Sequence, residues 1–291
     1  LFEYLSSRSK NNIIDYGLGD WYDYGNYRAG FSKNTPVALV ATSYYYMDIC
    51  YLKKAAVMLG EENDINKLDS LQYAVKRSFN NKFFNKETCD YGSGSQCSNS
   101  LPLYLNLVDK KYQRKVVANL KNDIIKHGYR LTTGDIGNRY LFCTLADRGM
   151  NDMMYKMFNH YDVPGYGFQL KMGATTLTEQ WDPREGSSWN HFMMGQIDEW
   201  FFKNLAGIRS DEDDPGFKHI IIKPTPVGDL KSVSASYESL YGKISVSWYI
   251  KENKFNLSVV IPANCEAKVV MPYTNRIINI KSGKYIFKSD I

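Results

Sequence analysis

Apolar positions in the first two thirds of the chain recur every three or four residues, and in the last third every second residue. The helical period is clearest in Pro36 to Gly60, PVALVATSYYYMDICYLKKAAVMLG. Thr35 offers a cap there, Pro36 suits the first turn and Gly60 the stop. Apolar residues surround most of this segment, which predicts an inner helix. Glu61 to Phe84 predicts a second helix, with Leu68, Leu71, Val75 and Phe79 on one face and Asp64 as its cap. The two read as a hairpin. Further helices are expected over Asn99–Val108, Lys111–His127, from the loop Leu131–Tyr140 through Asp147, over Gly149–His160, and over Trp189–Ala206. Leu1 to Asn12 reads as the tail of another running into a loop. The methionines of NDMMYKMFNH sit at helical spacing and serve as core filler. About seven helices in hairpin order, with no strand pattern between them, imply part of an α/α toroid. Seven are too few to close a ring of six hairpins, so the missing helices are expected before Leu1.

The period changes after Ile208. DEDDPGF, Asp211 to Phe217, is an acidic, turn-rich linker. HIIIKP, VSASYES, GKISVSWYI, KFNLSVVIP and CEAKVVMPY then alternate, separated by turn signals at Pro224–Pro226, Gly242, Glu252–Asn253 and Pro262–Asn264. An antiparallel β-sandwich follows from this pattern, with Trp248 in its core. The expected domains are 1–208, helical, and 209–291, β.

Composition narrows the function. The chain has 291 residues, 44% of them hydrophobic, enough for two cores. A net charge of +5 without a basic stripe gives no reason to expect nucleic acid as a partner. No apolar run is long enough for a membrane span. The first residue is Leu1, and no signal-peptide pattern follows it. The sequence therefore reads as a piece of a longer protein. A signal in the missing front would favour a periplasmic or secreted location; without one the protein is expected in the cytoplasm. Oligomeric state is not legible. Among the cysteines, Cys50 and Cys143 read as buried thiols, whereas Cys89 and Cys97 flank a Gly/Ser loop and could be bridged. No His/Cys spacing suggests zinc, and no cofactor motif occurs.

Candidate chemistry gathers in Gly173 to Ile208, GATTLTEQWDPREGSSWNHFMMGQIDEWFFKNLAGI. Glu179 stands among Thr175, Thr176 and Thr178, before Trp181; Trp189, Asn190 and His191 follow a Gly/Ser loop. One carboxylate, one imidazole and two indoles suit the wall of a sugar pocket, since aromatic faces pack on C–H faces and polar groups read hydroxyls. The plainer alternative is capping and surface roles for Glu179 and His191. Two earlier loops add candidates. Asp20, Trp21 and Asp23 lie in DYGLGDWYDYG, where Trp21 could equally tuck against the core. Asp135 lies in LTTGDIGNRY, where it could simply cap a helix and pair with Arg139.

Taken together, GATTLTEQWD, NHFMMG, WFFKNLAGI, the GDW at Gly19–Trp21 and TTGDIGNRY are similar to the α-L-rhamnosidases of glycoside hydrolase family 78. The resemblance covers residues 15–291. It implies an (α/α)6 catalytic barrel with a C-terminal β domain, inverting hydrolysis of rhamnose-containing glycosides, and Glu179 as general base. It also implies sugar-binding roles for Asp20, Trp21, Asp135, Trp181 and His191. The threonines and His191 are expected to hydrogen-bond the ionised Glu179. Two departures stand out. The family usually carries Trp where this chain has Thr178, and its acidic motif D-x-P-x-R-x-E-x-x-G-W, which holds the general acid, is not in this chain. Another inverting (α/α)6 glycosidase, or a non-catalytic carbohydrate-binding remnant, are the alternative readings.

Overall fold

A computed structural model describes residues 2–25 and 28–291, so Leu1, where the first helix was expected to begin, lies outside the described residues. The chain forms two compact units, Leu1–Asp147 with Met157–Met194, and Arg148–Lys156 with Gly195–Ile291.

In the helical part, α1 spans Phe2–Arg8, α2 Val37–Leu59 and α3 Glu62–Phe83. Then come α4 Gln96–Tyr104, α5 Lys110–Lys126, α6 Asp135–Asp147, α7 Asn151–Phe158 and α8 Tyr166–Lys171. Burial separates inner from outer members. Helix α4 is buried from Gln96 through Leu103, and α6 buries Tyr140, Leu141, Phe142 and Leu145. By contrast, α3 buries only Val75, Phe79 and Phe83, and α5 only Val116, Leu120 and Ile124. That single stripe is what a helix shows when one side faces water. Helix α2 is inner along its first half, through Leu39, Val40, Tyr45, Tyr46 and Ile49, and stops at Gly60, whose φ of 74° suits a residue without Cβ.

Several boundaries differ from those expected. Thr35 does not cap α2; its hydroxyl bonds Ser95 Oγ at 2.8 Å instead. Glu61, not Asp64, occupies the cap position of α3. Helix α4 begins three residues early because Ser95 Oγ accepts the Ser98 N–H at 3.1 Å. Within the expected Gly/Ser loop, β1 (Phe84–Asn85) pairs with β2 (Asp90–Tyr91). No disulfide joins Cys89 to Cys97, and all five thiols are free. The long helix expected over Trp189–Ala206 is short: α9 covers Ile197–Trp200 and runs into a π-helical stretch, Phe201–Ala206. Residues 189–196 are withheld from it because their backbone is held elsewhere, His191 N–H on Leu177 O at 3.0 Å.

The second unit carries one six-stranded sheet built from β3 Ile208–Ser210, β4 His219–Ile222, β5 Ser232–Ser239, β6 Gly242–Lys251, β7 Lys254–Val270 and β8 Ile277–Asp290. The order is β3-β4-β7-β6-β5, with β8 on β7. Helical hairpins followed by a sheet domain is thus the architecture. One pair, β4 with β7, is parallel rather than antiparallel. Two expected strands fuse into β7: Pro262–Asn264 does not reverse the chain but shifts the register against β8 between Ile261 and Glu266. The core contains Ile220, Ile222, Ile244, Val246, Trp248, Phe255, Leu257 and Val259. Trp248 Nε1 donates to Leu205 O at 2.7 Å, so the indole is buried without an orphaned N–H.

Candidate functional site

Three loops carry the candidate site residues. The first precedes α2. Asp23 Oδ2 accepts from the N–H groups of Lys33 (2.8 Å) and Asn34 (2.6 Å), and from Ser32 Oγ (3.0 Å). Those bonds curl the loop back on itself. Asp20 turns inward and accepts the Gly137 N–H at 2.6 Å, while Trp21 O accepts the Asp135 N–H at 3.0 Å. Asp20 and the Trp21 carbonyl therefore cap α6 from another part of the chain. Orphan N–H groups at a helix start are what such acceptors satisfy. The half-buried Trp21 ring meets Tyr22 and Phe31 edge-on, at 5.1 and 5.4 Å.

Electrostatics set the two aspartates apart. Asp20 has no solvent exposure, and burial raises its carboxyl to about 7 against the opposing N–H groups of Gly134 and Gly137. Asp135, half-buried, is raised to about 6 by burial, opposed by the helix N–H groups and by the charge of His191.

Glu179 lies on the stretch between α8 and the short 3-10 turn Pro183–Glu185. Its N–H donates to Ser188 O at 2.9 Å, and its Oε2 accepts the Ser188 N–H at 3.1 Å. Ser188 holds the carboxylate, in place of the expected threonines and histidine. The Thr176 hydroxyl goes to Trp189 O, Thr178 Oγ1 to Gln180 O at 2.6 Å, and His191 Nδ1 accepts the Met193 N–H at 3.1 Å. That last bond puts the proton of a neutral His191 on Nε2. The charge of Glu179 raises the Tyr22 phenol, second to burial as a cause.

Of the predicted site residues, Trp21, Asp135, Glu179 and His191 keep partly open side chains. Asp20 and Trp181 do not reach solvent. Trp181 is 0% exposed, donates Nε1–H to Thr133 O at 2.6 Å, and meets Tyr166 edge-on at 5.0 Å. An indole covered on all sides has no face for a sugar. Its role in this arrangement is to tie the Glu179 stretch to the Thr133 loop. Tyr22 and Ser188 escaped the sequence reading. Tyr22 adopts φ 59°, which no pattern announces, and Ser188 acts through its backbone, which any residue carries. Among the described residues, no group of three or more His, Cys, Asp or Glu is arranged to hold a metal ion.

Residues 1–205 match the family model for the bacterial alpha-L-rhamnosidase 6 hairpin glycosidase domain, and residues 207–284 that for the bacterial alpha-L-rhamnosidase C-terminal domain. An alpha-L-rhamnosidase of Streptomyces avermitilis is 28% identical over 265 residues, which is 88% of this chain and 25% of that protein. One from Formosa agariphila is 28% identical over 267 residues, 89% of this chain and 29% of its own length. The solved alpha-L-rhamnosidase from Dictyoglumus thermophilum superposes with a TM-score of 0.90 at 32% identity, covering 100% of this chain and 36% of that one. The Streptomyces avermitilis enzyme complexed with L-rhamnose gives 0.89 at 25% identity, covering 99% and 30%. The chain thus spans between 25% and 29% of the length of those two curated relatives.

Proposed function

The chain belongs to the bacterial alpha-L-rhamnosidase family, and from that premise we propose that it supplies the water-activating half of an inverting rhamnoside hydrolysis. Glu179 is the general base. It takes a proton from water as the water oxygen bonds the anomeric carbon and the bond to the leaving oxygen breaks; an acid opposite protonates that oxygen. The observation that carries this reading is the backbone grip on Glu179. Ser188 N–H fixes one oxygen at 3.1 Å. Among the described residues nothing else bonds its side chain, which leaves the other oxygen for water. Trp21 and His191 are the sugar contacts, with Nε2–H of His191 as donor to a hydroxyl. The rhamnose-containing glycoside is the partner, residues up to 208 carry the catalysis, and 209–291 form the accompanying β domain.

The acid completes the pair. In the first reading it lies in a longer polypeptide, since the family's acidic motif is not in this chain. The elevated carboxyl of Asp135 favours a second reading, in which Asp135 holds the proton that the leaving oxygen needs. The decisive experiment starts from nitrophenyl α-L-rhamnoside, whose phenol leaves with little protonation. Glu179→Gln is expected to lower kcat/KM about 10²–10⁴-fold while L-rhamnose still binds, and proton NMR is expected to show β-L-rhamnose as the first product. Unchanged turnover by Glu179→Gln, or an α-configured first product, refutes the proposal.

A further inference from the structure

A cavity of about 480 Å³ is lined by residues of the first loop, among them Tyr24, Lys33 and Asn34, and by Ser95, Arg130 and Thr132. The charge of Glu179 acts on Tyr22, whereas Tyr24 lines this cavity. They are two positions apart in the chain, at most about 7 Å. The cavity is braced by a closed set of hydrogen bonds. Asn34 Nδ2 donates to Tyr24 O (2.9 Å) and Thr132 O (3.1 Å). Gln96 donates to Arg130 O (2.9 Å) and accepts the Thr132 N–H (3.1 Å).

Its charges are unequal. Arg130 is half-buried, and its buried Nε has no hydrogen-bond partner. Its positive charge nonetheless reaches the cavity, where it lowers the Tyr24 phenol against burial. Lys33 and His127 stand at the rim. The carboxylate present, Asp123, meets His127 Nδ1 through Oδ1 at 3.2 Å, and burial pushes it toward its neutral form. Asp182 acts on Tyr24 from outside but is held by Arg184 through two bonds, at 2.8 and 2.6 Å. Glu185 acts there more weakly than Arg130. The nine-residue helix α4 also starts at this cavity through Ser95, adding the positive end of its dipole.

We propose that this cavity holds an anionic sugar of the same glycan, bearing a carboxylate or a sulfate ester, with Arg130 and Lys33 pairing its charge and Ser95 and Asn34 beside its hydroxyls. The inference rests on reading the neighbouring site as glycosidic. It makes acidic glycans the substrate class. A guanidinium half-withdrawn from water pairs more strongly with an anion than an exposed lysine does.

The test is ligand-observed NMR titration of the chain with D-glucuronate, D-glucose 6-sulfate and neutral D-glucose. One anion, or both, is expected to bind at least about tenfold more tightly than glucose; which one identifies the charged group. Arg130→Gln is expected to remove most of that preference, Arg130→Lys to restore part of it, and added salt to weaken it. Lys33→Gln, at the exposed rim, should weaken both anions. Glu179→Gln should silence hydrolysis and leave the anion bound, and Arg130→Gln should leave nitrophenyl rhamnoside turnover intact, so the two readings fail separately. Equal binding of all three sugars, or a preference that survives both Arg130→Gln and Lys33→Gln, overturns the inference.

Discussion

Asp20 keeps a proton at pH values where an exposed carboxyl has lost it, because its burial disfavours the charged form. The unfolded chain ionises near the ordinary value of about 3.9, whereas the folded chain ionises at about 7. Between those values the native state binds more protons, so stability falls as pH rises through the window and is constant above it. The loss is on the order of a few kcal/mol, at about 1.4 per unit. Asn at position 20 mimics the protonated acid and still accepts the Gly137 N–H. Thermal unfolding of Asp20→Asn and the wild type is therefore expected to coincide near pH 4, with the variant more stable at pH 8. Parallel pH profiles of the two would refute the titration. This residue also marks a limit of sequence reading. GDW marked the loop in the sequence, but whether Asp20 points out or in depends on Gly137, 117 positions away. The same holds for Trp181, whose indole was read as a pocket wall and is enclosed by Thr133 and Tyr166.

Between elements, α6 packs tightly on α4 at Gly137. A Cβ added at Gly137 would stand 2.6 Å from Cys97 Cβ and 2.7 Å from Asp20 Oδ2. Gly137→Ala is expected to destabilise the chain by about 1–3 kcal/mol and to lower rhamnoside turnover, because the start of α6 carries Asp135. Urea unfolding measures the first effect and steady-state kinetics the second; a variant as stable as wild type would show that α6 can move aside. Helices with strong periods and clear stops, α2 and α3 above all, were legible within a few residues. The stretch 189–196 was not, because its apolar residues look helical while His191 N–H bonds Leu177 O and Trp189 O accepts the Thr176 hydroxyl. In the sheet, the turn at Glu252–Asn253 was read correctly: both residues adopt positive φ, 50° and 57°, as a two-residue hairpin needs. Pro262–Asn264 carries similar turn residues yet makes only a shift of register, since β8 spans both halves of β7. Strand β8 itself was missed; as an edge it buries little beyond Ile280, so its alternation is weak.

At the scale of the molecule, the order of helices then strands was readable because the hydrophobic period changes once, at Ile208. What was not readable is which carboxylates face each other, for that depends on how loops from distant hairpins meet. The location of the acid can be tested on the whole chain. If the acid lies outside these residues, an alkyl α-L-rhamnoside is expected to react about 10²–10⁴-fold less well with this chain than with a longer polypeptide that carries the acidic motif, and the nitrophenyl substrate much less affected. Efficient alkyl turnover that Asp135→Asn abolishes would instead put the acid in α6. The parallel pairing of β4 with β7 has a different kind of consequence, one of timing. Ile220 finds its partner at Ala267, so during synthesis, at about 5–20 residues per second, the isoleucine-rich edge of β4 leaves the ribosome seconds before the strand that covers it exists. For that interval it is an open, sticky template, and nascent chains halted between those two strands are where chaperone capture or mispairing with a neighbouring chain should concentrate.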